Sequence, residues 1–244
     1  MVHKLAIVAV IGLSASAVCM GAAAAIGGKE FGDGWKGMDF PMFDGKPRCE
    51  AVQGATATSR DLDWDGSDHV ELAVQGHASY TPGNGKTVHV TGDPQVLAHL
   101  KVDDGDIEMD CRGWQERTKD LVITLPGREF RKFSIAGIGS LSLDRLDQRK
   151  LKIEMAGAAS VKANGKVEEL DIEMAGIGEA DFGKVTGREA KVEIAGIGKA
   201  DIAPSEEAKI EIAGPGEVTL HSNPKRLETE IAGPGRIHKV PGDG

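Results

Sequence analysis

From Phe133 onward, apolar and polar residues alternate almost one for one. Leu151, Ile153 and Met155 are interleaved with Lys152 and Glu154, and the pattern returns as Leu170, Ile172, Met174 and as Ala190, Val192, Ile194. It recurs at Ala208, Ile210, Ile212 and at Leu227, Thr229, Ile231. A period of two buries one set and wets the other, which is the pattern of a strand; a helix would need a period near 3.6. Each run leads into a glycine motif and then a second alternating pair, such as Leu141 and Leu143, Val161 and Ala163, or Ala180 and Phe182.

The first glycines of the motif are Gly137, Gly157, Gly176, Gly196, Gly214 and Gly233, at intervals of 20, 19, 20, 18 and 19. A fixed period of this length, with strand alternation inside it, predicts an all-β fold. The expected form is a right-handed single-stranded parallel β-helix, a solenoid of about six coils of roughly 19 residues. Each coil reads as strand, glycine corner, strand and a variable turn such as NGK or APSEE. A glycine suits such a corner because it accepts positive φ and close approach of another backbone. A phosphate-binding loop uses its glycines once, before a helix. Here no helical pattern follows and the motif occurs six times, so the six glycines are assigned as structural corners.

Upstream, residues 49–130 read as an irregular β-hairpin region continuous with the coils of 131–244. VELAV and KTVHVTG alternate, with TPGNGK between them as a hairpin-type turn. In DPQVLAHL, Asp93 is placed to cap a short helix with Pro94 at its first position. IEMDC and DLVITLPG read as further strands. Residues 1–25 have a short basic start, an apolar stretch and small residues, the pattern of a cleaved signal peptide. Retention as a membrane anchor is the alternative, and the only membrane contact expected. Residues 26–48 form a Gly-rich linker, though Trp35, Phe40, Met42 and Phe43 are apolar for a spacer.

Export changes the meaning of the cysteines. With Cys19 removed in the signal, Cys49 and Cys111 remain as an even pair, and a disulfide between them is the first choice over two buried thiols. The net charge of -9 and the 4% aromatic content argue against nucleic acid, which needs a basic footprint and stacking platforms. Glu154, Glu173, Glu193, Glu211 and Glu230 share one register, so they form a candidate strip for Ca²⁺. Lys152, Lys191 and Lys209 lie two residues earlier on the same face and point instead to a solvated charged surface. Asp181 and Asp201 also share a register, but short turns leave no cleft around them. The histidines lack ligand spacing and read as surface residues, an approach of His77 and His89 across the hairpin being the alternative. No catalytic group, metal ligand set or cofactor is assigned.

The stretch from RDLDWDG to DDGDIEM and the Ala-Gly motif that recurs once per coil resemble the GIN-domain family, the auto-transporter adhesin head domain of bacterial envelope proteins. The likeness runs from about Cys49 to Lys239. That family commonly places Ser on both sides of the first glycine. Here Ala136, Ala156, Ala175, Ala195, Ala213 and Ala232 precede it, and Ile138, Ala158, Ile177, Ile197, Pro215 and Pro234 follow. A hydroxyl ladder has become an apolar one. The resemblance implies an exported periplasmic or surface module that binds an envelope protein or glycan without catalysis. A polysaccharide-active enzyme and a homo-oligomer pairing through the solenoid edge are the alternatives.

Overall fold

The computed structural model describes residues 46–240; the segments read above as a signal peptide (1–25) and a linker (26–48, with Trp35 to Phe43) lie outside them, save residues 46–48. The elements are β1 (Ser59–Asp63), β2 (His69–Leu72), β3 (Gly76–Tyr80), β4 (Thr87–Thr91), α1 (Pro94–Ala98), β5 (Leu100–Asp103) and β6 (Asp106–Met109). A 3₁₀ turn at Gln115–Thr118 precedes β7 (Val122–Thr124), β8 (Lys132–Ala213), β9 (Glu217–Leu220), β10 (Arg226–Ala232) and β11 (Arg236–Lys239). The helix forms where its cap chemistry dictates: the Asp93 side chain accepts from the Gln95 N–H at 2.8 Å, and Pro94 opens the first turn.

All strands belong to one 11-stranded sheet, in the order β1-β4-β7-β3-β8-β2-β6-β5, with β9 and β10 on β8 and β11 on β9. The pairs β1–β4, β4–β7 and β5–β6 are antiparallel, while β2 and β3 run parallel to β8. The solenoid expectation is therefore corrected: the sheet is a nearly closed barrel of mixed strand orientation, not a parallel β-helix. The physical reason is that the glycine period governs only residues after Phe133. It says how far along the chain a neighbour lies, and nothing of the short upstream strands that the same sheet recruits in either direction. The hairpin expectation is corrected as well. β3 and β4 do not pair; β7 lies between them, so His77 stands opposite Val122 and His89 opposite Thr124.

Inside the sheet the alternation is realised as burial. Ile153, Ile172, Val192 and Ile210 are wholly buried, and the later strands lie in register at a 19-residue offset, Leu227 opposite Ala208 and Ile231 opposite Ile212. At the front, Trp64, Tyr80, Phe130 and Phe133 pack edge-on and tilted with centroids 5.2–5.5 Å apart. The Tyr80 hydroxyl donates to the Arg128 carbonyl, and burial pushes its pKa to about 12. Few aromatics suffice because these four share one site.

Cys49 and Cys111 form a disulfide across a sequence separation of 62, and the Cys49 N–H donates to the Arg112 carbonyl beside it. Such bonds persist in oxidising compartments. Removing the bond in a Cys49→Ser, Cys111→Ser variant is expected to lower stability by about 2–4 kcal/mol, because loop closure no longer restrains the unfolded chain. Urea unfolding measures this; a loss below about 0.5 kcal/mol would show the backbone hydrogen bonds alone hold the segment.

Candidate functional site

The first glycines of the motif sit at the corners. All six have φ between 115° and 130°, a region closed to most side chains. They also stack: a Cβ on Gly157 would meet the Gly137 carbonyl, one on Gly176 the Gly157 carbonyl, and one on Gly196 the Gly176 carbonyl. The second glycine serves a different end. A Cβ at Gly216 would lie 3.0 Å from the Cγ2 atoms of both Ile194 and Ile212, so its absence makes room for core side chains.

With the glycines in a column, the residues after them project outward. Ile138, Ile177 and Ile197 are 58%, 61% and 56% exposed, and Ala158, Pro215 and Pro234 continue the row. Successive rows in a sheet are about 4.8 Å apart, so six positions span roughly 24 Å. The alanines before the glycines flank this row, giving a ridge with no polar side chain across it. Isolated exposed isoleucines need no explanation, but a contiguous column does.

The glutamate column lies on the neighbouring face, and lysines occupy it. The Lys152 ammonium sits between Glu154 and Glu173, at 2.8 and 3.0 Å, and Lys132 reaches Glu154 at 2.7 Å. Glu193 pairs with Lys191 and Glu211 with Lys209, while Glu230 is exposed on β10. Burial acts to raise the Glu154 pKa, but hydrogen bonds from Lys132 and Lys152 outweigh it and hold the carboxyl below its usual range. The register extends the column upstream, with Glu71 opposite Ser134 and Asp106 opposite Glu71. Periodicity did not show these two, because they lie before the repeat. Burial, then the Asp106 charge, raises the Glu71 carboxyl.

The other sequence candidates are dispersed. Asp181 faces Lys162 at 3.5 Å and Asp201 accepts from His221 at 2.7 Å, so each acid has its own partner. A ligand-spaced group among the described residues is His99, Asp110 and Cys111. Its sulfur is in the disulfide, and the two His99 nitrogens bond Asp110 and the Glu50 carbonyl, both at 2.8 Å. A shallow opening lined by Val167, Leu170, Val185 and Pro204 brings in one carboxylate, Glu189. The last strands carry unlike residues at inward register positions: Thr229 opposite Ile210, and Lys239 opposite Leu220. An inward-register lysine on a terminal strand disfavours pairing with another chain.

The profile of a family described as "Putative auto-transporter adhesin, head GIN domain" matches residues 68–224. The crystal structure of a "putative adhesin" from Bacteroides fragilis is similar in fold, with a TM-score of 0.60 and 17% identity over 80% of this chain and 99% of that one. A "putative lipid binding protein" from Parabacteroides distasonis aligns at a TM-score of 0.44 and 17% identity, over 75% of this chain and 96% of that one. A "putative adhesin" from Parabacteroides merdae gives 0.40 and 13%, over 75% and 95%. No curated protein matches. No helix among the described residues is long and apolar enough to cross a membrane.

Proposed function

The chain belongs to the GIN-domain family of auto-transporter adhesin heads, and from that premise we propose that it is an exported, non-catalytic binding module of the bacterial cell envelope. The observation that carries this reading is the exposed ridge of Ile138, Ile177 and Ile197. Those residues keep more than half of their surface in water, so covering them on binding is favourable. Contiguous apolar surface of this kind marks interaction sites. The disulfide supports an oxidising compartment. The paired acids and shallow surfaces support binding over catalysis, which needs concavity and groups converging on one reacting atom. The inward-register Lys239 weighs against the edge-paired oligomer.

The test is a triple variant, Ile138→Ser, Ile177→Ser, Ile197→Ser, in co-sedimentation with isolated outer-membrane and peptidoglycan fractions. Exposed substitutions of this type leave stability within about 0.5 kcal/mol each. Binding to one of the fractions is expected to weaken at least about tenfold, or about 1.4 kcal/mol. Unchanged binding by a folded triple variant would remove the ridge from the mechanism.

A further inference from the structure

Next to the ridge, beyond Ile138, the outward face changes character. Five strands, β1, β4, β7, β3 and the start of β8, bring one row of side chains together as Asp61, His89, Thr124, Ser79 and Ser142. The next row is Ser59, Thr91, Val122, His77 and Ser140. These rows contain no lysine or arginine, and their one acid, Asp61, accepts from His89 at 2.6 Å. His77 and Ser140 are bonded across strands at 2.7 Å. Further along the same face the outward residues include Lys162, Asp181, Lys199, Asp201 and Glu217, with Ser160 and Thr219 among them. One face therefore has a neutral hydroxyl-rich half and a charged half, in a chain that is 27% charged.

Strand propensity does not explain the neutral half. Threonine favours strands, but serine does not, and serine occupies Ser59, Ser79, Ser140 and Ser142. Short hydroxyls keep the face low and offer one donor and two acceptors each. We propose that this face binds a neutral polyhydroxylated chain, a glycan without acidic groups; the proposal rests on the binding-module reading and names its ligand class. Anionic polymers would require the arginines and lysines that these rows lack. A lipid would require apolar area, and Val122 alone supplies little. An extended peptide is ordinarily taken up at a free strand edge, whereas β4, β7 and β3 have partners on both sides. Sugar hydroxyls, which also donate and accept, match the surface in both senses. Because Tyr80, Phe130 and Phe133 point inward, the rings on this face among the described residues are the imidazoles of His77 and His89, smaller stacking platforms than an indole or a phenol. Single-site affinity is then weak, with Kd on the order of 1 mM, and tight attachment requires many copies on one surface.

The experiment is an NMR amide titration of the protein with dextran and mannan oligosaccharides, beside oligogalacturonate and an unrelated extended peptide. The expected result is shifts confined to β1, β4, β7, β3 and residues 139–143 with a neutral glycan. A Ser79→Glu, Ser142→Glu variant, changed only at surface positions, should lose them at least about fivefold in affinity; Thr124→Glu gives an independent second variant. No shift with either neutral glycan at about 10 mM, ten times that Kd, overturns the proposal. So does equal or stronger binding of oligogalacturonate or of the peptide. If the isoleucine ridge variant loses envelope binding while neutral glycans fail, the ligand class is wrong and the binding module stands. If neither changes, both readings fall.

Discussion

Replacing Gly176 with valine is expected to lower stability by at least about 3 kcal/mol, a large share of the total for a domain of this size. Two independent effects add. The φ of Gly176 is 120°, where a β-branched residue is strained. A Cβ there would also run into the Gly157 carbonyl, which is backbone and cannot swing aside. Gly137 separates the two effects. Its φ is 115°, yet a Cβ on it would meet nothing within 4 Å. Gly137→Val should therefore show the dihedral strain without the collision and cost clearly less. Urea midpoints at constant m-value measure both. Equal losses at the two sites would show that stacking of the corners contributes nothing.

Ile194→Asp is expected to prevent folding or to cost more than about 4 kcal/mol. Ile194 is 2% exposed, and its Cγ2 atom fills the space left by Gly198 and Gly216. An aspartate there would be an unpaired charge in an apolar layer, since among the described residues no lysine or arginine is buried to meet it. Ile194→Val removes one methylene and should cost only about 0.5–1.5 kcal/mol. Circular dichroism and urea unfolding of the pair decide the matter. A stable, native-like aspartate variant would mean that the 194 side chain faces water and that the inward register is misassigned.

The corner glycines were legible because the sequence repeats its own experiment. The first glycine stands at all six positions, while the second is replaced once, by Ala159. The structure gives the reason: all six first glycines adopt positive φ, and from Gly157 to Gly196 a Cβ would collide with the preceding corner's carbonyl, whereas the second glycines have no positive φ. The glutamate column was legible from its register, as were the lysines beside it, though Lys152 bridging Glu154 and Glu173 was not. Side-chain reach between rows depends on rotamers that no spacing encodes. The neutral hydroxyl face had no signal in the sequence at all. Its residues come from β1, β3, β4, β7 and the start of β8, scattered between Ser59 and Ser142. An alternating pattern marks each one as outward without saying which others stand beside it.

What the sequence by itself determined is local and periodic: which side of each strand is buried, where the chain must bend through glycine, and the Asp93 cap. It also pointed to the Cys49–Cys111 pair as the first choice, by count and compartment. Alternation and φ preferences are properties of a few consecutive residues, so a few residues reveal them. What only the tertiary structure decided is adjacency: β7 between β3 and β4, antiparallel pairs in a sheet expected to be wholly parallel, and four aromatics in one cluster. Strand partners are selected by hydrogen bonds between segments tens of residues apart, and either direction satisfies the same backbone groups. The apolar ridge needed both. The sequence supplied its isoleucines, and the stacking of the corners turned them outward in one line.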